Sequence, residues 1–129
     1  MARKSQQTLV AAGTAITANG NTTPITSDNA REARFFINVS AVSGTTPGIV
    51  FKLQGYDNAS ATWFDIPNAA LTSITTAGQY LLEVSPDIAT TTGTSAKANT
   101  FFPLTSRLAY TVSGTTPSFT LSIGVGIHP

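Results

Sequence analysis

One histidine, His128, and the carboxylates Asp57, Asp65, Glu83 and Asp87 are the side chains whose chemistry could carry catalysis or hold a cation. An imidazole serves as the base for a nucleophilic hydroxyl only when a third group orients it. His128 is followed by Pro129 alone, so the expectation is a solvated imidazole near a chain end. Two carboxylates facing each other could hydrolyse a glycosidic bond, and several oxygens at alternating positions could bind calcium. The spacing of these four fits no such ligand loop, and turn capping explains them instead. Neither a GxxxxGK[ST] nor a strand-linked GxGxxG phosphate cradle is present, and cysteine is absent, which removes thiolate metal sites and disulfides together. The expectation is a protein that is not an enzyme, with no catalytic, cofactor-binding or metal residues.

The aromatic residues offer a binding chemistry. Tyr56, Trp63 and Phe64 flank a polar DNASA turn, Asp57 to Ala61, and exposed rings there could stack on a sugar or enter a pocket of another protein. Strand alternation sends either Trp63 or Phe64 inward, so core packing is expected to claim at least one of them.

Composition narrows the partners. The formal net charge is +1 and 10% of residues are charged, without the clustered Lys and Arg of a nucleic-acid footprint. The chain holds 22 threonines and 12 serines. Neutral hydroxyls are cheaper to desolvate than ions, so this exterior suits a subunit packed against neighbours; strands are also ordinarily rich in Thr. No apolar run approaches the ~20 residues of a membrane helix. Arg3 and Lys4 precede a small apolar run, as in a secretory signal, but Gly13, Thr14 and Thr17 interrupt it. The expected product is unprocessed and made in the cytoplasm, and the triplets at Asn21, Asn38 and Asn58 read as chance glycosylation matches.

The elements that would position these residues are strands. Val42 to Pro47, VSGTTP, returns as Val112 to Pro117. Apolar residues follow each copy at every second position: Ile49, Phe51, Leu53 and then Phe119, Leu121, Ile123, Val125. Gly permits positive φ, and Pro fixes its own φ and disfavours a helical residue before it, so each copy is expected to turn a β-hairpin with its Thr extended. Further strands are expected at Thr8 to Ala18, Phe35 to Ala41 with a bulge near Ala41, Gly48 to Tyr56, Thr62 to Pro67, Gln79 to Val84 and Ser118 to Ile127. Ile25 to Ala33 reads as a polar connection, Ser85 to Thr100 as a long loop, and no segment as an amphipathic helix. The expected fold is all-β, a single-domain antiparallel β-sandwich, of which the jelly roll is one form. A polar arm at residues 1–7 would precede the domain at 8–129.

Several segments together resemble the small β-sandwich virion structural proteins of tailed bacteriophages. They are the Arg-led strand RFFINVSAV from Arg34 to Val42, then SGTTP, a strand ending in LQGYD, the TWFDIP segment, and SRLAYTVSGTTPSFTLSIGVG from Ser106 to Gly126. The resemblance covers Arg34 to Gly126 apart from the long loop. It implies a structural subunit of the virion, assembled in the host cytoplasm. A capsid decoration or cement protein is the leading role; a tail or head-tail subunit, or a carbohydrate- or receptor-binding module, is the alternative. The implied partners are the major capsid protein, other virion subunits and further copies of the chain, a trimer among the arrangements, with neither nucleic acid nor membrane. Arg3, Lys4, Trp63, Thr45, Thr46, Thr115 and Thr116 are the expected interface residues, and no cofactor is implied.

Overall fold

A computed structural model describes residues 5–26 and 30–129. Eight strands follow in order: β1 (Ser5–Ile16), β2 (Gly20–Asn21), β3 (Ile25–Thr26), β4 (Glu32–Asp57), β5 (Thr62–Ala70), β6 (Gly78–Ser85), β7 (Ala96–Asn99) and β8 (Thr105–His128). There is no helix among the described residues, in keeping with the period-2 pattern of the apolar positions.

The organising pair is β4 and β8, which run antiparallel from Glu32↔His128 to Gly55↔Ser106. Around one half of this pair the order is β1, β8, β4, β6, β7, with β7 parallel to β6. Around the other half, β2 and β3 add to β8 and β5 adds to β4. Phe35, Ile37, Phe119 and Ile123 of the first half and Phe51, Leu53 and Leu108 of the second are all fully buried in one core. A single hydrogen-bonded sheet is therefore folded over on itself, and its two inner faces meet as in a β-sandwich whose strands pass from one layer to the other at bends.

Those bends are the two VSGTTP segments, and here the hairpin expectation is corrected. Neither copy folds back on itself. They pair with each other in mid-strand, Ser43↔Ser118, Thr45↔Thr115 and Gly48↔Ser113, so equivalent residues are related by a local two-fold axis at Thr45 and Thr115. The ladder slips on both sides of Thr45. Pro47 thus falls at an irregularity where no N–H is required, which is how a strand paired in mid-sheet accepts proline. Gly-Thr-Thr-Pro marks a bend as readily as a turn, and the partner strand decides between them. The expected bulge is present at Ser40, between Val39↔Leu121 and Ala41↔Thr120.

Other boundaries shift for identifiable reasons. The supposed long loop contains β7, whose Ala96 and Ala98 are buried; four residues of the type Ala-Lys-Ala-Asn carry too little apolar surface to announce a strand. The supposed polar connection contains β3, anchored by buried Ile25. Strand β5 extends beyond Pro67 to Ala70, since Ala69 is core. β1 begins at Ser5 and pairs Gln6 with Gly126, which places residues 5–7 in the sheet; Arg3 and Lys4 lie outside the described residues.

Among the described residues, one buried side-chain polar atom has no partner. Ser106 is fully buried, and its Oγ makes no hydrogen bond among the described residues. Leaving a hydroxyl desolvated and unpaired costs about 1–3 kcal/mol. Ser106→Ala is therefore expected to raise stability by about 1 kcal/mol, read as a higher urea midpoint with an unchanged slope; a lower midpoint would show that the hydroxyl is satisfied.

Candidate interface at the paired bends

The bends gather four of the expected interface residues. Thr45 and Thr115 are direct cross-strand partners, Thr46 and Thr116 follow them, and all four are exposed. Gly44 and Gly114 have φ of 109° and 108°, a region that L side chains avoid. Each also lies against the other copy: a Cβ on Gly44 would stand 2.7 Å from the Thr116 carbonyl oxygen, and one on Gly114 2.7 Å from that of Thr46. Thr46 and Thr116 take φ of 48° and 47°, so the extended conformation expected ahead of Pro47 and Pro117 does not occur. Positive φ is strained for a β-branched residue. Each Thr hydroxyl donates to the carbonyl of the preceding Thr at 2.8 Å, and the opposing bend holds the backbone in place. Strain of about 1–3 kcal/mol per residue persists only where the surroundings over-determine it, and such residues cluster at active sites, ligand clamps and switch regions.

The electrostatics of this surface are simple. No Asp, Glu, Lys or Arg occurs from Phe35 to Phe51 or from Leu108 to Ile127. The exposed bends present hydroxyls and peptide groups and no charge, a surface that can be covered without desolvating an ion.

Trp63 is not part of this surface. It pairs with Tyr56 at the far end of β4, roughly 36 Å along the strand from Thr45 at the usual rise per residue. Its ring lies 5.0 Å from that of Tyr56, and the Arg107 guanidinium sits 4.2 Å over it. Arg107 Nε donates to Gln54 Oε1 at 2.8 Å, Gln54 Nε2 donates to Asp65 Oδ1 at 2.8 Å, and Lys52 Nζ pairs with Asp65 Oδ2 at 3.0 Å. One face of the indole is thereby occupied by a cation, so a sugar could stack there only by displacing Arg107. The expectation that Trp63 or Phe64 packs in the core is also corrected. Phe64 is 56% exposed, and neither residue joins the buried cluster.

His128 is not isolated. Its Nδ1 hydrogen-bonds with the Pro129 carbonyl oxygen at 2.8 Å and lies 3.5 Å from Glu32 Oε1, while Ser85 Oγ donates to Glu32 Oε2 at 2.9 Å. These are the residue types of a nucleophilic triad in the wrong order: the carboxylate separates hydroxyl and imidazole, so His128 has no path to the Ser85 proton. The group instead ties together the ends of β4, β6 and β8. Glu83 faces Arg34 at 3.7 Å and Asp87 faces Arg31 at 3.2 Å. No cluster of three metal-ligating side chains occurs among the described residues. Sequence spacing could not reveal the contacts Glu32–Ser85–His128 or Trp63–Arg107, because each joins residues brought together only by strand pairing.

Comparison with protein-family models, with curated proteins and with solved structures finds no match to this chain.

Two carboxylates set an acid dependence. The Ser60 hydroxyl and the backbone N–H groups of Ala59 and Ser60 hold Asp57 below the usual carboxylate range, and hydrogen bonds from Gln54 and Lys52 do the same for Asp65. A depressed folded-state pKa contributes stability above the unfolded value and loses it as pH falls through the folded value. The thermal midpoint is expected to drop as pH is lowered below about 4, and less steeply in Asp57→Asn, which keeps a neutral turn-capping side chain. Identical acid profiles for the two proteins would remove Asp57 from the account.

Proposed function

We propose that this chain is a non-enzymatic structural subunit of a tailed-bacteriophage virion, a decoration or cement protein that stabilises the head through contacts with the major capsid protein and with copies of itself. The observation that carries the reading is the charge-free, exposed surface at the paired bends, where Thr45, Thr46, Thr115 and Thr116 meet on a strained and mutually locked backbone. A rigid neutral surface loses little side-chain freedom and desolvates no ion when it is covered. The resemblance of Arg34 to Val42 and Ser106 to Gly126 to phage virion proteins supplies the class of partner.

Cryo-electron microscopy of purified particles tests the reading. It predicts density for this fold on the outer face of the capsid shell. Density confined to the tail would replace the decoration role with a tail role, and absence of the chain from purified particles would overturn both.

A further inference from the structure

The outer face of the first half carries a slot that the bends do not explain. Gly124 and Gly126 stand at alternate positions of the central strand β8, so both open onto the same face. Gly124 lies between Thr8 of β1 and Phe36 of β4, and Gly126 between Gln6 and Arg34. Neither glycine is needed by the backbone, because neither has positive φ. Nor is either needed by its neighbours. A Cβ on Gly124 would meet only the Gln7 carbonyl oxygen at 3.6 Å, and one on Gly126 would meet Phe36 Cε2 at 3.4 Å, both ordinary contacts. Glycine inside a strand costs stability relative to a residue with a side chain, and it commonly marks close approach of something from outside. Here it leaves a channel one strand wide, walled by Gln6 and Thr8 on one side and by Arg34 and Phe36 on the other. Phe36 is 46% exposed. Cavities of about 380 and 340 Å³ meet at Gln6 and Phe36, the first over Gly126 and the second over Gly124, within the range of small-ligand sites.

We propose that this slot binds a neutral pyranose unit of a glycan. An incoming peptide strand would need free N–H and C=O groups, and β8 is paired on both sides along this stretch, with β1 and with β4. What the slot offers instead is one exposed aromatic face and side chains that both donate and accept. The apolar face of a pyranose ring packs on Phe36, and its hydroxyls bond to Gln6, Arg34 and Glu83. Arg34 is offset by Glu83 at 3.7 Å, and Glu32 stands at the same end, so the described residues lining the slot carry no positive excess to favour an acidic sugar. The site is separate from Trp63, and the proposal does not depend on the virion role.

The test is saturation-transfer NMR on the full chain with the methyl pyranosides of glucose, galactose and N-acetylglucosamine at millimolar concentration, weak binding being detectable in that range. Transfer to at least one glycoside is expected from the wild type. Gly124→Val fills the slot while leaving the thermal midpoint equal or higher, since valine favours a strand and its Cβ finds room; transfer is expected to fall at least tenfold. Phe36→Ala should lose it similarly, and Trp63→Ala should keep it. Absence of transfer from all three glycosides overturns the proposal, as does transfer undiminished in Gly124→Val. Loss in Trp63→Ala with retention in Phe36→Ala would overturn it by placing the sugar on the indole.

Discussion

Replacing Gly44 by valine is expected to destabilise the protein by about 3 kcal/mol, and the same change at Gly114 by a similar amount. Two costs act together at each position. The backbone sits at φ of 109° or 108°, and the new Cβ would be driven to 2.7 Å from a carbonyl oxygen of the opposing bend. That obstacle is main chain held by the ladder on both sides, so it cannot swing aside as a side-chain tip can. A domain with ~5–15 kcal/mol of total stability loses a large fraction of it in either single variant, and the double variant is not expected to fold. Gly124→Val is the internal control, a glycine in β8, the strand of Gly114, with ordinary φ and a Cβ position that meets only the Gln7 carbonyl oxygen at an ordinary 3.6 Å. Denaturant titration of the three single variants checks the account. Losses below about 1 kcal/mol at both Gly44 and Gly114 would mean that the bends are not mutually locked.

Phe51→Ala is expected to cost about 3–5 kcal/mol, whereas Trp63→Ala should cost about 1 kcal/mol. Phe51 is fully buried and packs against Tyr110 with ring centroids 6.0 Å apart, so its removal leaves a cavity between the two layers. Trp63 lies outside the core, and its contacts with Tyr56 and Arg107 are on the partly solvated outer face. Equilibrium unfolding of both variants separates the cases. A Trp63→Ala loss equal to that of Phe51→Ala would put the indole in the core after all.

Residue spacing made the class of fold legible, because alternation at Phe35, Ile37, Val39 and again at Phe119, Leu121, Ile123 admits only strands with one buried face. It did not make the route of the strands legible. The repeated VSGTTP carries Gly and Pro in the order a hairpin uses, and only the presence of its own copy on the neighbouring strand converts that turn into a bend. Gly44 and Gly114 were nevertheless marked for positive φ by residue type, and both have it. Thr46 and Thr116 were not, since local rules place a β-branched residue ahead of proline in extended backbone. A tertiary constraint overrode the local preference. The grouping of Thr45, Thr46, Thr115 and Thr116 was legible as two pairs of threonines in a repeated motif, but their meeting at one surface depended on strand register. The separation of Trp63 from that surface depended on it equally.

The measurement that bears most directly on the proposed contact is occupancy of particles lacking the chain after purified protein is added back, comparing the wild type with Thr45→Glu. A carboxylate at this exposed position leaves the fold intact, read as an unchanged circular dichroism spectrum, but it must be desolvated without a partner if the bends are covered, a cost of several kcal/mol. The prediction is a fall in occupancy of at least tenfold for Thr45→Glu, about 1.4 kcal/mol or more. Equal occupancy of the two proteins, with both folded, would contradict the assignment of the paired bends as the contact surface.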